Sequence, residues 1–247
     1  MTSPESSATP PHFLERLQNA GIEPGDSEEL RLNKSLLMFA TGLVSLATII
    51  WVGIYSILGP QFSVTLPFFL QLLLAGNMLA YIKSKNFEFF RVTQLGLFLF
   101  WPFIAQWTAG TIVSTSGVVL WALLAPIGAI LCIGVRQSMG WFIAWVTLTF
   151  VSAATDWYLA DATISLRADV PIRTTVVFFA LNFVAVATII YLLLRMSIEE
   201  KRRMQKGLED AHRQIQIEQE RSEKLLLNIL PGAIADRLKN SDKTIAD

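Results

Sequence analysis

The sequence predicts an all-α integral membrane protein, a six-helix bundle that continues into a cytoplasmic coiled-coil helix. Three observations lead there. Charge is scarce: 53% of the 247 residues are hydrophobic, 16% are charged, and the mean hydropathy is +0.47. Soluble domains carry about 25% charged residues. The scarcity is also uneven, because residues 35–194 are nearly uncharged while 1–34 and 195–247 are polar. Finally, from Arg195 the chain becomes charged yet stays helix-forming, with one glycine (Gly207) and no proline before Pro231.

A helix needs roughly 20 apolar residues to cross the hydrocarbon core. On that length six spans are expected, at residues 35–58, 62–82, 92–112, 117–135, 139–155 and 174–194. Ahead of them, residues 1–34 form a polar N-terminal segment. Its residues Phe13, Leu14 and Leu17 share one helical face, which suits a short interfacial helix or a frayed tail. Ser27 followed by Glu28 and Glu29 reads as a helix start. No short apolar run ends in a small-residue cleavage site. The first span is therefore expected to act as an uncleaved anchor.

Orientation follows from lysine and arginine, which favour the cytoplasmic side. Arg31 and Lys34 precede the first span, Lys83, Lys85 and Arg91 fall between the second and third, and Arg136 follows the fourth. Arg195, Lys201, Arg202, Arg203 and Lys206 follow the sixth. The opposite side has none in its first two loops, and Arg167 and Arg173 lie among aspartates in its last. Both termini are thus expected in the cytoplasm of a multi-pass inner (plasma) membrane protein, which requires an even number of spans.

The composition also excludes classes. A net charge of zero leaves no basic footprint for nucleic acid. One cysteine, Cys132, rules out an intrachain disulfide and a multi-cysteine zinc site. Ion-coupled transport needs charges at membrane depth, and the spans offer only uncharged Gln71, Asn77, Gln94, Gln106 and Asn182. These are expected to hydrogen-bond between helices. Pro67, Pro102 and Pro126 can kink three spans, although proline is common in membrane helices in any case. Of the seven tryptophans, several fit an interfacial belt, and Trp51 and Trp145 are expected to pack deeper. The loop 156–173 holds Asp156, Asp161 and Asp169. It is read either as a solvated loop or as an external site for a hard cation or ligand.

Residues 195–230 would span about 54 Å as one helix. Glu199–Arg203, Glu209–Arg213 and Glu220–Lys224 are four apart. A seam of 3–4 spacing runs through Met204, Leu208, Ala211, Ile215, Leu225 and Ile229, interrupted by polar Ser197, Lys201, Glu218 and Ser222. It is read as a parallel two-stranded coiled coil, hence a homodimer in the bilayer, with a solvated single helix as the alternative. Polar seam positions make such a coil marginal, and so able to hold two arrangements of similar free energy.

Pro231 ends that helix, and residues 231–247 read as a short helix and a link. This junction, Arg221, Ser222, Glu223, Leu225, Leu226, Asn228, Leu230 and Pro231, then Ile234, Ala235, Arg237, Leu238 and Lys239, then Ile245, Ala246 and Asp247, resembles that of bacterial six-span class III adenylate/guanylate cyclases. About 27 residues carry the likeness. It implies a transducer that couples a membrane region to a dimeric catalytic domain after Asp247, using Mg or Mn with ATP. No catalytic residue or cofactor ligand of that family maps onto this chain. The anchor of a histidine kinase or diguanylate cyclase, or a small transporter, are the competing readings. A lipid or small apolar molecule is among the candidate stimuli.

Overall fold

The computed structural model describes residues 21–58, 65–158 and 172–229, the side chains of 226–229 excepted. It is all-helical, with no strand among the described residues. The helices are α1 (Glu28–Leu58), α2 (Thr65–Ser84), α3 (Phe87–Ala109), a 3-10 helix (Val118–Leu123) leading into α4 (Leu124–Ile133), α5 (Val135–Tyr158) and α6 (Ile172–Ile229). By length and composition α1, α2, α3, α5 and α6 are sufficient to cross a membrane. Residues up to Ser197 form one compact unit, and those from Ile198 form a second.

The fourth apolar segment is shorter, six residues of 3-10 helix and ten of α-helix. The 3-10 form rises about 2.0 Å per residue against 1.5 Å in the α form. Together they reach about 27 Å, close to the roughly 30 Å of a hydrocarbon core. Pro126 stands two residues after the change of helix type. Lacking an N–H, it cannot donate back to Ala122, so the change falls where an α-helical bond is unobtainable. Pro67 sits in the first turn of α2, where an N–H has no intrahelical partner to lose. Pro102 stands in the interior of α3.

Local chemistry sets the helix ends. Ser27 Oγ accepts the Leu30 N–H at 3.2 Å and starts α1 at Glu28. Asn86 Oδ1 does the same for α3 with the Phe89 N–H at 3.1 Å. With that cap, and with Arg91 paired to Glu88 one turn away, α3 begins five residues before the expected span. Gly110 closes it at Ala109.

The core of the first unit draws on every layer. Ala40 and Val44 of α1, Leu74 of α2, Phe98, Leu99 and Phe103 of α3, Val119 and Ala122 of the 3-10 helix, Leu124 and Ala125 of α4, and Val186, Ile189 and Leu193 of α6 are all buried together. α5 adds partly buried Trp141, Trp145 and Leu148. Gly128 permits the closest approach, since a Cβ there would lie 2.9 Å from Leu95 Cδ2. By contrast, Leu46, Phe69, Leu72, Phe150 and Val184 face outward at 51–72% exposure, as apolar helices in lipid do.

At the end of the bundle where α1 begins, three polar contacts tie the chain down. Lys34 Nζ donates to Asp26 Oδ2 at 2.7 Å, and both side chains are buried. Tyr81, stacked 4.6 Å from the Phe90 ring, donates its hydroxyl to the Gly21 carbonyl at 3.1 Å. Arg91 Nη1 donates at 3.4 Å to the Cys132 carbonyl, near the negative end of α4. The Lys34 ammonium, then the Glu23 amide, hold the Asp26 carboxyl below its usual 3.8.

Two predictions follow from this packing. Gly128→Val should lower the thermal midpoint of the purified protein, an overpacking cost of about 1–3 kcal/mol. Gly140→Val should not, because a Cβ at Gly140 meets open space. The Asp26 pKa is lowered on folding, so its contribution is fully present above the unfolded value and is lost as pH falls through the folded one. Hydrogen exchange at the Glu23 amide, which donates to Asp26 at 2.7 Å, should stay protected from neutral pH down to about 4 and lose protection only below that.

Candidate functional site

The functional question centres on how α6 is held, because α6 alone runs from the apolar bundle into the charged segment. One polar attachment is Asn182, which is 1% exposed. Asn182 Oδ1 accepts the Trp121 indole N–H at 2.9 Å, and Asn182 Nδ2 donates to the Ser116 carbonyl at 3.0 Å. One amide thus satisfies two groups of the segment that joins α3 to α4.

That segment needs the help. Ser116 and Gly117 take successive left-handed conformations, φ 55° and 70°. For serine this costs about 1–2 kcal/mol. A Cβ on Gly117 would come within 2.7 Å of the Phe179 ring of α6, so glycine is required there twice over. Before the reversal, Thr111 and Ser114 exchange hydrogen bonds through backbone and hydroxyl groups. The polar stretch 108–117 is thus a self-bonded turn.

A second attachment comes from α5. Asp156 Oδ2 accepts the Ile112 N–H at 2.6 Å and the Gln106 Nε2–H at 3.4 Å. One turn earlier, the Trp107 indole donates to Ser152 Oγ at 2.9 Å. Around Asn182 lies an aromatic group that reaches α1. Trp51 meets Trp121 edge-on at 6.4 Å and Phe178 edge-on at 6.4 Å, and Tyr55 lies 5.5 Å from Phe178. Such pairs contribute about 0.5–1.5 kcal/mol beyond area burial.

The uncharged polar residues singled out from the sequence take interhelical roles. Asn77 donates to Gln94 Oε1 at 2.8 Å and accepts from Thr93 Oγ1 at 2.8 Å, which joins α2 to α3. Gln106 joins α3 to α5 and Asn182 joins α6 to the 3-10 helix. Gln71 differs, because its buried Oε1 has no partner.

Of the three aspartates singled out from the sequence, Asp156 is engaged by Ile112 and Gln106, while Asp161 and Asp169 lie outside the described residues. Among the described residues no group of three His, Cys, Asp or Glu side chains converges. Of the seam, Met204 is partly covered, and Leu208, Ile215 and Leu225 are 72%, 54% and 56% exposed, with Ala211 also exposed. Ile229 is helical. Ile217, 54% exposed and off the traced seam, adds to that apolar surface. Arg203 pairs with Glu200 at 3.3 Å, one residue from the expected Glu199, and Arg221 pairs with Glu218 at 3.8 Å. Glu223 and Leu225 continue the same helix, as do Leu226 and Asn228. Pro231, Ile234, Arg237 and Leu238 lie outside the described residues.

Sequence reading missed Ser116, Ser152 and Trp121 as members of these contacts. Trp121 and Asn182 are 61 positions apart, so no local pattern pairs them. The small polar run before Gly117 was the available signal. Comparison with protein families, with curated proteins and with solved structures gave no match.

Asn182→Ala should leave the Trp121 N–H and the Ser116 carbonyl unpaired, lowering the stability of the purified protein by about 1–3 kcal/mol in thermal melts. Asn182→Asp should lose at least as much at neutral pH, because it buries a carboxylate with one oxygen facing the Ser116 carbonyl.

Proposed function

We propose that this chain is the membrane anchor and signal-transducing half of a dimeric class III nucleotide cyclase, acting on a catalytic domain beyond Asp247. The observation that carries the reading is α6. It is one helix of 58 residues, with its first part in the apolar core and its later part charged. Over that later part Leu208, Ile215 and Leu225 stay exposed. An apolar seam on an otherwise solvated helix calls for a partner, and a second copy of the same helix supplies a matching seam.

In this reading six spans hold the chain in the plasma membrane with both termini cytoplasmic, and α6 pairs in parallel across the dimer. The transducer residues Arg221–Leu238 then set the relative placement of two catalytic domains. The resemblance at residues 221–247 is what favours a cyclase over a histidine kinase or diguanylate cyclase. Adenylate cyclase with Mg or Mn and ATP is the expected chemistry of that further domain. The polar seam positions Lys201, Glu218 and Ser222 make the pairing responsive, because a marginal coil shifts between arrangements under small inputs.

Two measurements test this. In membranes carrying the full chain with Cys132→Ser, oxidation should cross-link Leu208→Cys and Ile215→Cys into dimers, and Arg213→Cys much less. Equal cross-linking at all three positions would remove the parallel seam. With a cyclase catalytic domain attached after Asp247, cyclic nucleotide output should fall several-fold when the membrane region is deleted. Apolar residues at Lys201, Glu218 and Ser222 should lock output at one level. Output indifferent to both changes would leave no transducer role.

A further inference from the structure

We infer that the two α6 helices of a dimer meet only beyond Ser197 and part as they enter the bilayer, so that α6 bends between Ser197 and Met204 when paired. The inference rests on the paired reading given above. It comes from the phase of two stripes on one continuous helix, Ile172–Ile229.

The first stripe is Phe178, Asn182, Val186, Ile189, Leu193 and Ser197, all buried. The chain's own bundle takes it up. Phe178 meets Trp51, Asn182 holds Trp121 and the Ser116 carbonyl, and Val186, Ile189 and Leu193 share one core with Ala40 and Val44. The second stripe is the seam that runs from Met204 through Leu208 and Ile215 to Leu225. At about 100° per residue, members of both stripes fall within about 60° of Leu193. The opposite side of α6 changes character instead. Val177, Val184 and Tyr191 are exposed there, and Arg195, Arg202 and Glu209 follow them along the same line. The outward face thus exchanges lipid for water, whereas the inward stripe stays apolar and exchanges the bundle for another partner.

A helix paired on the seam lies about 8–10 Å away on that side. Were both helices straight, the continuation of the second would run into the space beside Phe178 and Asn182 that α1 and the 3-10 helix of the first chain occupy. That space is filled by packed core, so both cannot hold it. The pair therefore splays as it nears the membrane. Pairing is weakest at that point, because from Ile198 to Arg203 the seam has only Lys201, and a charge at a seam position costs stability. The stripes also differ in step, about 3.7 residues on the bundle side and about 3.5 on the seam, so no single supercoil serves both.

The test is disulfide formation in membranes carrying the full chain with Cys132→Ser and a single added cysteine. The cysteine stands on the outward face (Val184→Cys or Tyr191→Cys) or on the seam (Leu208→Cys or Ile215→Cys). With a membrane-permeant oxidant the seam positions should give dimers, and the outward positions at least five-fold fewer. Two alanines inserted between Lys201 and Arg202 turn the seam by about 200° relative to the first stripe and bring it into line with the outward face. In that chain Val184→Cys and Tyr191→Cys should rise to the level of the seam positions. Seven inserted alanines return the phase to within about 20° and should leave the native pattern. Outward positions that cross-link as well as the seam in the native chain, or a pattern indifferent to the two-residue insertion, would overturn the splayed pair. Loss of seam cross-linking on the two-residue insertion would overturn it too, because pairing would then need the native phase. Dimers at no position in any of these chains would overturn the paired reading itself, and this inference with it.

Discussion

Asn182 is the contact on which the arrangement of the bundle turns. Its single amide accepts from Trp121 and donates to Ser116, so it fixes α6 against the entry to the 3-10 helix. The left-handed residues Ser116 and Gly117 persist because α6 lies against them, and α6 can lie so close because Gly117 has no side chain. Without that reversal α3 and the 3-10 helix could not pack as neighbours across the short connection 110–117. Trp121 is held by the same amide, and through it so is the edge-on contact with Trp51 of α1.

The polar residues of the apolar unit act as locators. In lipid there is no hydrophobic force between helices, and interhelical hydrogen bonds contribute only about 0.6–2 kcal/mol each. Their value lies in register. Asn77 with Gln94, Gln106 with Asp156, and Asn182 with Trp121 each join one pair of elements at one height. The end near Arg195 is built differently, from Lys34 with Asp26, Arg91 with the Cys132 carbonyl, and Tyr81 with Gly21. Charge appears where the chain leaves the apolar region, and neutral amides and indoles serve within it.

Two kinds of exposed apolar surface coexist in the chain, and they have different explanations. Outward residues such as Phe150 and Val184 belong to helices that are apolar over their full length, so lipid is their natural solvent. Leu208, Ile215 and Leu225 belong to a charged stretch where lipid is no option. The same degree of exposure therefore suits lipid contact in one unit and leaves an apolar stripe on a charged helix in the other. That stripe is the ground on which pairing of α6 is proposed.

Much of the element plan was legible in the sequence, because span length, charge placement and caps are local. Ser27 before Glu28 marked the start of α1, and the absence of proline up to Pro231 marked the long helix. The helix start at Phe87, ahead of the expected third span, was not legible because Glu88 and Arg91 look like loop charges, although their spacing makes them one helical pair behind the Asn86 cap. Asp156 was legible as an exceptional charge but not as the acceptor for Ile112, which depends on a turn that exists only in three dimensions. By itself, then, the sequence determined an all-helical, membrane-type chain with a long charged helix, since hydropathy and helix period need no partner to be read. Only the tertiary structure decided that the fourth segment stretches as 3-10 helix, that Asn182 holds Trp121 and Ser116, and that Trp51 is left with a free donor. Those outcomes depend on pairs of residues far apart in the chain, whose meeting is set by packing.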